Sequence, residues 1–354
     1  MYNYIINNVL VDFDSILLIT KSTISKNIMA NNSSLKLIIN DSAREDFVIK
    51  KNLNLFQTNT LVIMDEYYGL FHRLSNIQLN NVIMIIHNFN KWFSFIPPFK
   101  NFKLFIDHFF RFNILKRVDS YIAISPLVKS KIKKVSSKNV HFLPFEFSNK
   151  NVKKSREDNL IKIVIPGMVD SKRRNYNSLL NSIFDFLKQN NKYRIRFIFL
   201  GRIIKENESL IFEKIININN KYCDIIEFYE EYISSEKFNE KIISCDYILS
   251  NLKSKIEKQG YNEYYGKTKE SGISYLLYKY SKPGIIPNWQ ITLNDLDNQL
   301  IKYSNQTDLK NILININKNQ INTSKLIKNA ELNKFRFNKY IKEETLKFRN
   351  YIYK

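Results

Sequence analysis

The sequence predicts an α/β protein made of two successive doubly wound units, and three observations predict it. Short, continuously apolar, β-branched runs recur along the chain, such as IKIVI at 161–165 and IRFIFL at 195–200, each followed by a longer stretch of helical periodicity. Such runs suit parallel strands buried on both faces and joined by crossover helices. The rhythm stops once, at the polar and aperiodic NKNVKKSREDN of 149–159, and then begins again. With 354 residues, 44% of them hydrophobic and 14% aromatic, the chain is also long enough to fill two cores.

Taken in order, residues 15–20, 35–39, 61–64, 81–86, 120–124 and 140–142 read as the strands of a first domain, 1–150. After the break, 161–165, 195–200, 225–229 and 246–249 read as strands. They alternate with helices at 174–189, 206–219 and 234–244, in a second domain spanning 151–324. A long basic helix, 325–351, is expected to pack back across both.

The stretch GKTKESGISYLLYKYSKPGIIP, 266–287, reads as loop, helix (273–280), turn and strand, with Lys282-Pro283-Gly284 stopping the helix. The helix N-terminus directs its amides and positive dipole end at a polar loop containing Lys269, which suits a phosphate or diphosphate. The same spacing serves any helix-to-strand turn, so the two readings stand side by side.

Composition narrows the partners. Fifty-five Lys and Arg against 33 Asp and Glu leave a charge of +22, pointing to nucleic acid, an acidic membrane surface or a phosphorylated substrate. Abundant Asn, Ile and Lys also follow from AT-rich coding, so charge alone does not choose. Cys223 and Cys245 are the only cysteines and fall in no metal-ligand spacing, which fits a reducing cytoplasm. No metal site is expected. The first twenty residues lack the basic start and small-residue cleavage site of a signal peptide, and no apolar run is long enough to span a bilayer. A cytoplasmic chain is expected.

The segments IPGMVDSKRRNY, FLGR, EYISSEKFNEKIISCDYIL and TKESGISYLLYKYSKPGIIP, in this order and at these intervals, resemble the C-terminal half of group 1 glycosyltransferases of the GT-B fold. The resemblance covers mainly 160–290. The first half matches only in its βα rhythm and in SYIAISPLVKSKI. It implies two Rossmann-like domains facing a cleft, with the C-terminal helix crossing back. The implied activity is metal-independent, hexosyltransferase-like transfer from a nucleotide-diphosphate sugar to a glycan hydroxyl, with no cofactor besides the donor. A lipid-linked intermediate of bacterial surface polysaccharide is the acceptor expected.

Carried onto matching positions, the resemblance implies donor contacts at Gly167, Lys172 and Arg173, at Gly201, and at Ile233 beside the base. Each has a plainer reading: a solvated basic turn, a tight strand exit, a helix N-cap at Ser234 or Ser235. Retaining members carry two glutamates eight positions apart; aligned on the Lys282-Pro283 turn, those places hold Thr268 and Leu276, so the pair is absent. Thr268, Lys269, Ser271 and Gly272 become the donor contacts expected instead. Glu270 is one residue out of register, about 100° around a helix.

The first domain should hold the acceptor and a base. His87 follows an apolar strand, and Asp65-Glu66 follows another; an imidazole or carboxylate at a strand's carboxyl end can take a hydroxyl proton. Strand-terminal polar residues also serve simply to hold loops. In 89–117, FNKWFSFIPPFKNFKLFIDHFFRFNILKR, the apolar Phe102, Phe105, Ile106, Phe109 and Phe112 recur at helical spacing, with Lys103, Asp107 and Arg111 as a polar stripe. A core helix explains the stripe. The additional Trp92, Phe93, Phe95 and Phe99 mixed with lysines suit an interfacial surface on anionic lipid, peripheral on the inner face of the membrane.

Two other classes remain: a basic nucleic-acid-binding protein and an inactive scaffold of the same fold. The first finds no zinc spacing, RNP-like strand or recognition helix, and no nucleic-acid partner is expected. Asp12-Phe13-Asp14 and Asp295-Leu296-Asp297 fall too early and too late for a metal-holding Asp-x-Asp.

Overall fold

The computed structural model describes residues 5–6, 8–10, 16–20, 35–39, 62–64, 81–99, 102–144, 160–190, 192–223, 225–258 and 260–353. The segment expected to link the domains, 149–159, lies outside them. The chain divides into two compact units. One comprises Met1–Phe147, Glu257–Glu270 and Asn338–Lys354, the other Ser148–Ile256 and Ser271–Phe337. Unlike the continuous ranges expected, 257–270 therefore groups with the N-terminal residues.

In the first unit, β1 (Ile16–Thr20) pairs in parallel with β2 (Leu35–Ile39). A second parallel sheet has the order β3 (Val62–Met64), β4 (Val82–Ile86), β5 (Val118–Ala123), β6 (Asn139–Phe142). Its central strand β4 is buried along its length. Val82, Met84 and Ile86 pack on one face with Trp92, Val128 and Ile132, and Ile83 and Ile85 pack on the other with Val9 and Phe348. That is why its sequence is an unbroken apolar run rather than an alternation.

Helices α1 (Phe89–Phe93), α2 (Phe102–Arg117) and α3 (Pro126–Val135) connect these strands. Ser125 caps α3 by accepting from the Val128 amide, and a proline occupies the first helical turn. Helix α2 is oriented opposite to the core helix its pattern suggests. Asp107, His108 and Arg111 are buried, whereas Phe102 is 77% exposed and Phe109 54%. Asp107 and Arg111 of the stripe, with His108, face inward, where they meet a buried polar partner, while Lys103 stays exposed. His108 Nδ1 lies 2.9 Å from the Tyr261 hydroxyl, Arg111 Nη1 donates to the Lys91 carbonyl at 2.7 Å, and the Arg111 guanidinium stacks over the Phe112 and Tyr261 rings.

The second unit holds one six-stranded parallel sheet. Its strands are β7 (Ile161–Pro166), β8 (Ile195–Arg202), β9 (Ile226–Tyr229), β10 (Tyr247–Leu249), β13 (Gly284–Pro287) and β14 (Leu300–Tyr303), with α4 (Tyr176–Lys188), α5 (Ser209–Tyr222) and α6 (Ser235–Ser244) among the first four. The spatial order is β14-β13-β10-β7-β8-β9. The chain starts at β7, adds β8 and β9 on one side, then reverses to add β10, β13 and β14 on the other. Adjacent β7 and β10 thus send their connections opposite ways, the switch point at which such sheets bind ligands.

Between β10 and β13 lies an unanticipated hairpin, β11 (Lys255–Lys258) and β12 (Tyr261–Tyr264), whose second strand carries Tyr261 onto α2. Helix α7 (Gly272–Tyr280) follows, ending at Ser281 in the left-handed conformation, φ 49°. Helix α8 (Gln306–Asn317) and the 30-residue α9 (Thr323–Ile352) complete the chain. In the second unit Phe337 of α9 stacks on Tyr278 at 4.0 Å, and in the first Phe348 is fully buried.

His141 of β6 lies between the rings of Phe348 and Tyr351, 4.8 and 4.6 Å away. Burial, reinforced by Lys129, lowers its pKa from 6.5 to about 4. The unfolded chain binds this proton first, so the neutral ring's contribution is complete above pH 6.5 and is lost as pH falls toward 4. Melting temperature should therefore drop across that window, and more steeply in the native chain than in His141→Phe. Coincident slopes would show that His141 does not carry this dependence.

Candidate active site

At the carboxyl end of β7 the backbone turns at Gly167, φ +100°, a region closed to most side chains. A Cβ on Gly201, leaving β8, would collide with the Gly167 carbonyl, so glycine there lets two strand exits touch. A Cβ on Gly167 would in turn collide with Arg174 Nη2, so that guanidinium lies directly over the end of the strand. Arg174 is 8% exposed. Its Nη1 reaches only the neutral Asn251 Oδ1, at 3.4 Å, and its Nε has no partner in the protein. Among the described residues no carboxylate pairs with it. A guanidinium taken out of water without a counter-ion is costly, and an incoming anion would repay that cost. Next to it the Tyr176 hydroxyl is buried without a partner, and burial pushes it up to about 12.

The N-terminus of α7 belongs to the same network. Gln290, buried after β13, donates to Ser271 Oγ at 3.3 Å and accepts from Ser250 Oγ at 2.8 Å. Ser250 precedes Asn251, the partner of Arg174. The strand exits of β7 and β10 and the start of α7 are thereby tied together. Ser271 makes no side-chain cap bond to the first turn of α7, and that turn contains no acid. Among the described residues, apart from its chain neighbours and its own helix backbone, no heavy atom lies within 4 Å of where a Gly272 Cβ would stand. A positive dipole end therefore lies beside Ser271 and Gly272, a feature that suits an anion.

The other expected residues distribute as follows. Lys172 is exposed, and Arg173 pairs with Asp170 at 2.9 Å. Ile233 is half-buried ahead of α6, beside Tyr232, which is 89% exposed; Ser234 caps α6 by accepting from the Lys237 amide. The Thr268 hydroxyl accepts from the Tyr264 amide at 2.8 Å, inside the turn after β12. Lys269 Nζ donates to Asn88 Oδ1 at 2.6 Å, and the Thr268 carbonyl accepts from the Phe89 amide. Thr268 and Lys269 thus sit within the first unit against the exit of β4, next to half-buried His87. Asp65 and Glu66 lie outside the described residues. No group of three or more His, Cys, Asp or Glu among the described residues is placed to hold a metal ion.

Arg174 is the residue that sequence reasoning passed over in favour of its two neighbours. No local sequence signal singles it out; in the structure Arg174 and Tyr176 are buried while Lys172, Asn175 and Asn177 are exposed. The glycines should separate by role. Gly201→Ala should cost about 1–3 kcal/mol, because its Cβ meets backbone that cannot swing aside. Gly272→Ala should leave unfolding in urea unchanged or slightly improved. Equal stability of the two variants would refute the close approach of β7 and β8.

The chain matches no protein-family model and no curated protein. It is similar to solved structures. The trehalose-6-phosphate synthase OtsA aligns with a TM-score of 0.62 at 11% identity, over 87% of this chain and 75% of that one. The Candida albicans trehalose-6-phosphate phosphatase N-terminal domain aligns at 0.57 and 13%, over 95% and 88%. The pneumococcal O-GlcNAc transferase GtfA, solved with UDP and GlcNAc, aligns at 0.57 and 12%, over 86% and 58%. Likeness at this identity speaks to architecture, and with the two parallel α/β units it shows that the chain has the GT-B fold.

Proposed function

We propose that this chain is a glycosyltransferase that moves a sugar from a nucleoside-diphosphate donor to a hydroxyl of a glycan. The observation that carries the reading is Arg174: a buried guanidinium that pairs with no carboxylate among the described residues, at the switch point of a Rossmann-like sheet and tied through Asn251, Ser250 and Gln290 to the N-terminus of α7. Neighbours of the same fold include proteins solved with UDP and with a UDP-sugar. In the reaction the bond from the anomeric carbon to the diphosphate oxygen breaks and a bond from that carbon to the acceptor oxygen forms. Charge then accumulates on the departing diphosphate. Arg174 and the α7 amides supply fixed positive potential for it, the service a metal ion gives in other transferases. The acceptor proton goes to a base, for which His87 at the exit of β4 is the candidate.

The expected donor is a nucleoside-diphosphate sugar, and calorimetry with the nucleotides it would release, UDP, GDP, dTDP and ADP, tests it. One of them should bind without added metal, and Arg174→Met should weaken that binding at least about tenfold. The apo variant should be no less stable than the native chain, because an uncompensated buried charge has been replaced by an apolar side chain. Equal affinity in both proteins, or no binding by any nucleotide, would overturn the reading.

The acceptor side of the proposal is a membrane. Phe95, Ile96, Phe99 and Phe102 are 81%, 71%, 76% and 77% exposed, which is the reverse of core packing, and Lys103, Lys116 and Arg117 on α2 are exposed with them. Aromatic and cationic groups together suit the interface of an anionic bilayer, and a lipid-linked acceptor would be met there. Among the described residues no helix is long and apolar enough to cross a membrane. The chain should float with phosphatidylglycerol vesicles and not with phosphatidylcholine vesicles. Phe95→Ser with Phe99→Ser should abolish flotation, and its persistence in that variant would remove the assignment.

A further inference from the structure

The second unit contains a recess of about 140 Å³ that the diphosphate reading leaves unused. It opens at the carboxyl ends of β10, β13 and β14, between the N-termini of α4 and α8. No charged side chain lines it. Its polar groups are the hydroxyls of Ser178 and Ser304 and the amides of Asn175, Asn251 and Asn305, of which Asn175 and Asn305 cap α4 and α8 through Oδ1 and have their Nδ2 donors to offer; its aromatic walls are Trp289 and Tyr303. The Tyr303 hydroxyl already donates to the Ser250 carbonyl at 2.7 Å, so the ring offers its face rather than its oxygen. Asn251 is 2% exposed, and its Nδ2 has no partner in the protein although its Oδ1 accepts from Arg174. A buried amide nitrogen left unbonded is an unsatisfied cost that a ligand acceptor would remove.

We infer that this recess binds a neutral sugar unit. A carboxamide carries a donor and an acceptor on adjacent atoms, which matches neighbouring hydroxyls on a pyranose, and several amides at one rim match hydroxyls around a ring. The flat, apolar faces of Trp289 and Tyr303 match the C–H face of the same ring. The volume is that of roughly four or five waters at about 30 Å³ each, of the order of one monosaccharide ring. No charged side chain lines the recess, and the two helix starts beside it are already capped by Asn175 and Asn305, so it favours a neutral ligand over a phosphate. A glycan so held, independently of the nucleotide, would be retained between transfers.

Tryptophan fluorescence tests this directly. The chain has two tryptophans; Trp92 is fully buried in the first unit and Trp289 is half-buried in the recess. Free glucose, galactose and N-acetylglucosamine are titrated at millimolar concentrations with acrylamide as quencher. At least one sugar should saturably protect Trp289, the response should vanish in Trp289→Phe, and Asn251→Leu should weaken it about tenfold. Where Asn251→Leu melts early, Asn305→Ala at the exposed rim serves in its place and should also weaken the response. Nucleoside diphosphate binding, followed by calorimetry, should be unchanged in Trp289→Phe, so failure of this proposal and failure of the donor assignment are told apart. The inference is overturned if no sugar protects Trp289, if uridine saturates the response in place of a sugar, or if neither amide variant weakens it.

Discussion

Where the second sheet reverses its strand order, the β7 and β10 exits diverge, and the guanidinium of Arg174 occupies the ground between them. Much of the local structure is arranged around that one contact with Asn251. Gly167 adopts a left-handed turn under the guanidinium, Gly201 allows the β8 exit to close against Gly167, and the Asn175 amide donates to the Asn251 carbonyl at 2.8 Å. A long chain of hydrogen bonds then runs through Ser250 and Gln290 to the start of α7. The arrangement holds a positive charge, paired with no carboxylate among the described residues, and a helix N-terminus in fixed positions. Fixed dipoles and charges of this kind need no reorganisation when negative charge develops, which is their catalytic advantage over water.

The architecture was legible because it rests on buried runs. IKIVI, IRFIFL and NVIMII have no polar face to lose, so their strands appear within a residue or two of the expected places. The hairpin was not legible for the opposite reason. β11 reads KIEK and β12 YNEY, short, charged and half exposed, and their contacts are with residues far away in sequence: Tyr261 with His108, the Asn262 carbonyl with Asn90 and Glu263 with the Lys91 amide. The same long-range pairing decides between the two readings of α2 that the sequence left open. Amphipathic periodicity says which residues share a face but not which face turns inward, and here a polar cluster with Tyr261 claims the inside. Burial drives the His108 pKa down to about 4, with Arg111 adding to the effect, so the imidazole joins that cluster uncharged.

At the site itself, the glycines and the helix start were readable from local chemistry, because a strand exit and an N-terminus have sequence signatures. The choice among Lys172, Arg173 and Arg174 was not. Three consecutive cations are equivalent on paper, and only the backbone path after Gly167 decides that the third is buried while the second meets Asp170 at the surface.

The absence of the glutamate pair acquires a physical setting from the excursion of 257–270. Thr268, at the first of the two places, is buried and spends its hydroxyl on the Tyr264 amide, and Leu276, at the second, is a half-buried apolar residue of α7. Neither can accept hydrogen bonds from a sugar as a carboxylate does. Yet the loop carrying Thr268 is not slack: it is held by two bonds to the exit of β4, through the Thr268 carbonyl and Lys269 Nζ. A segment that in the resembling enzymes contributes to the donor sugar is here tied beside the candidate base, His87. The amides and aromatic faces around Asn251 in the second unit are a separate, uncharged set, the one inferred to hold a glycan independently of the nucleotide. Charge recognition by Arg174 and neutral recognition by the recess meet at that one side chain, which accepts from the guanidinium through Oδ1 and leaves Nδ2 unbonded within the protein.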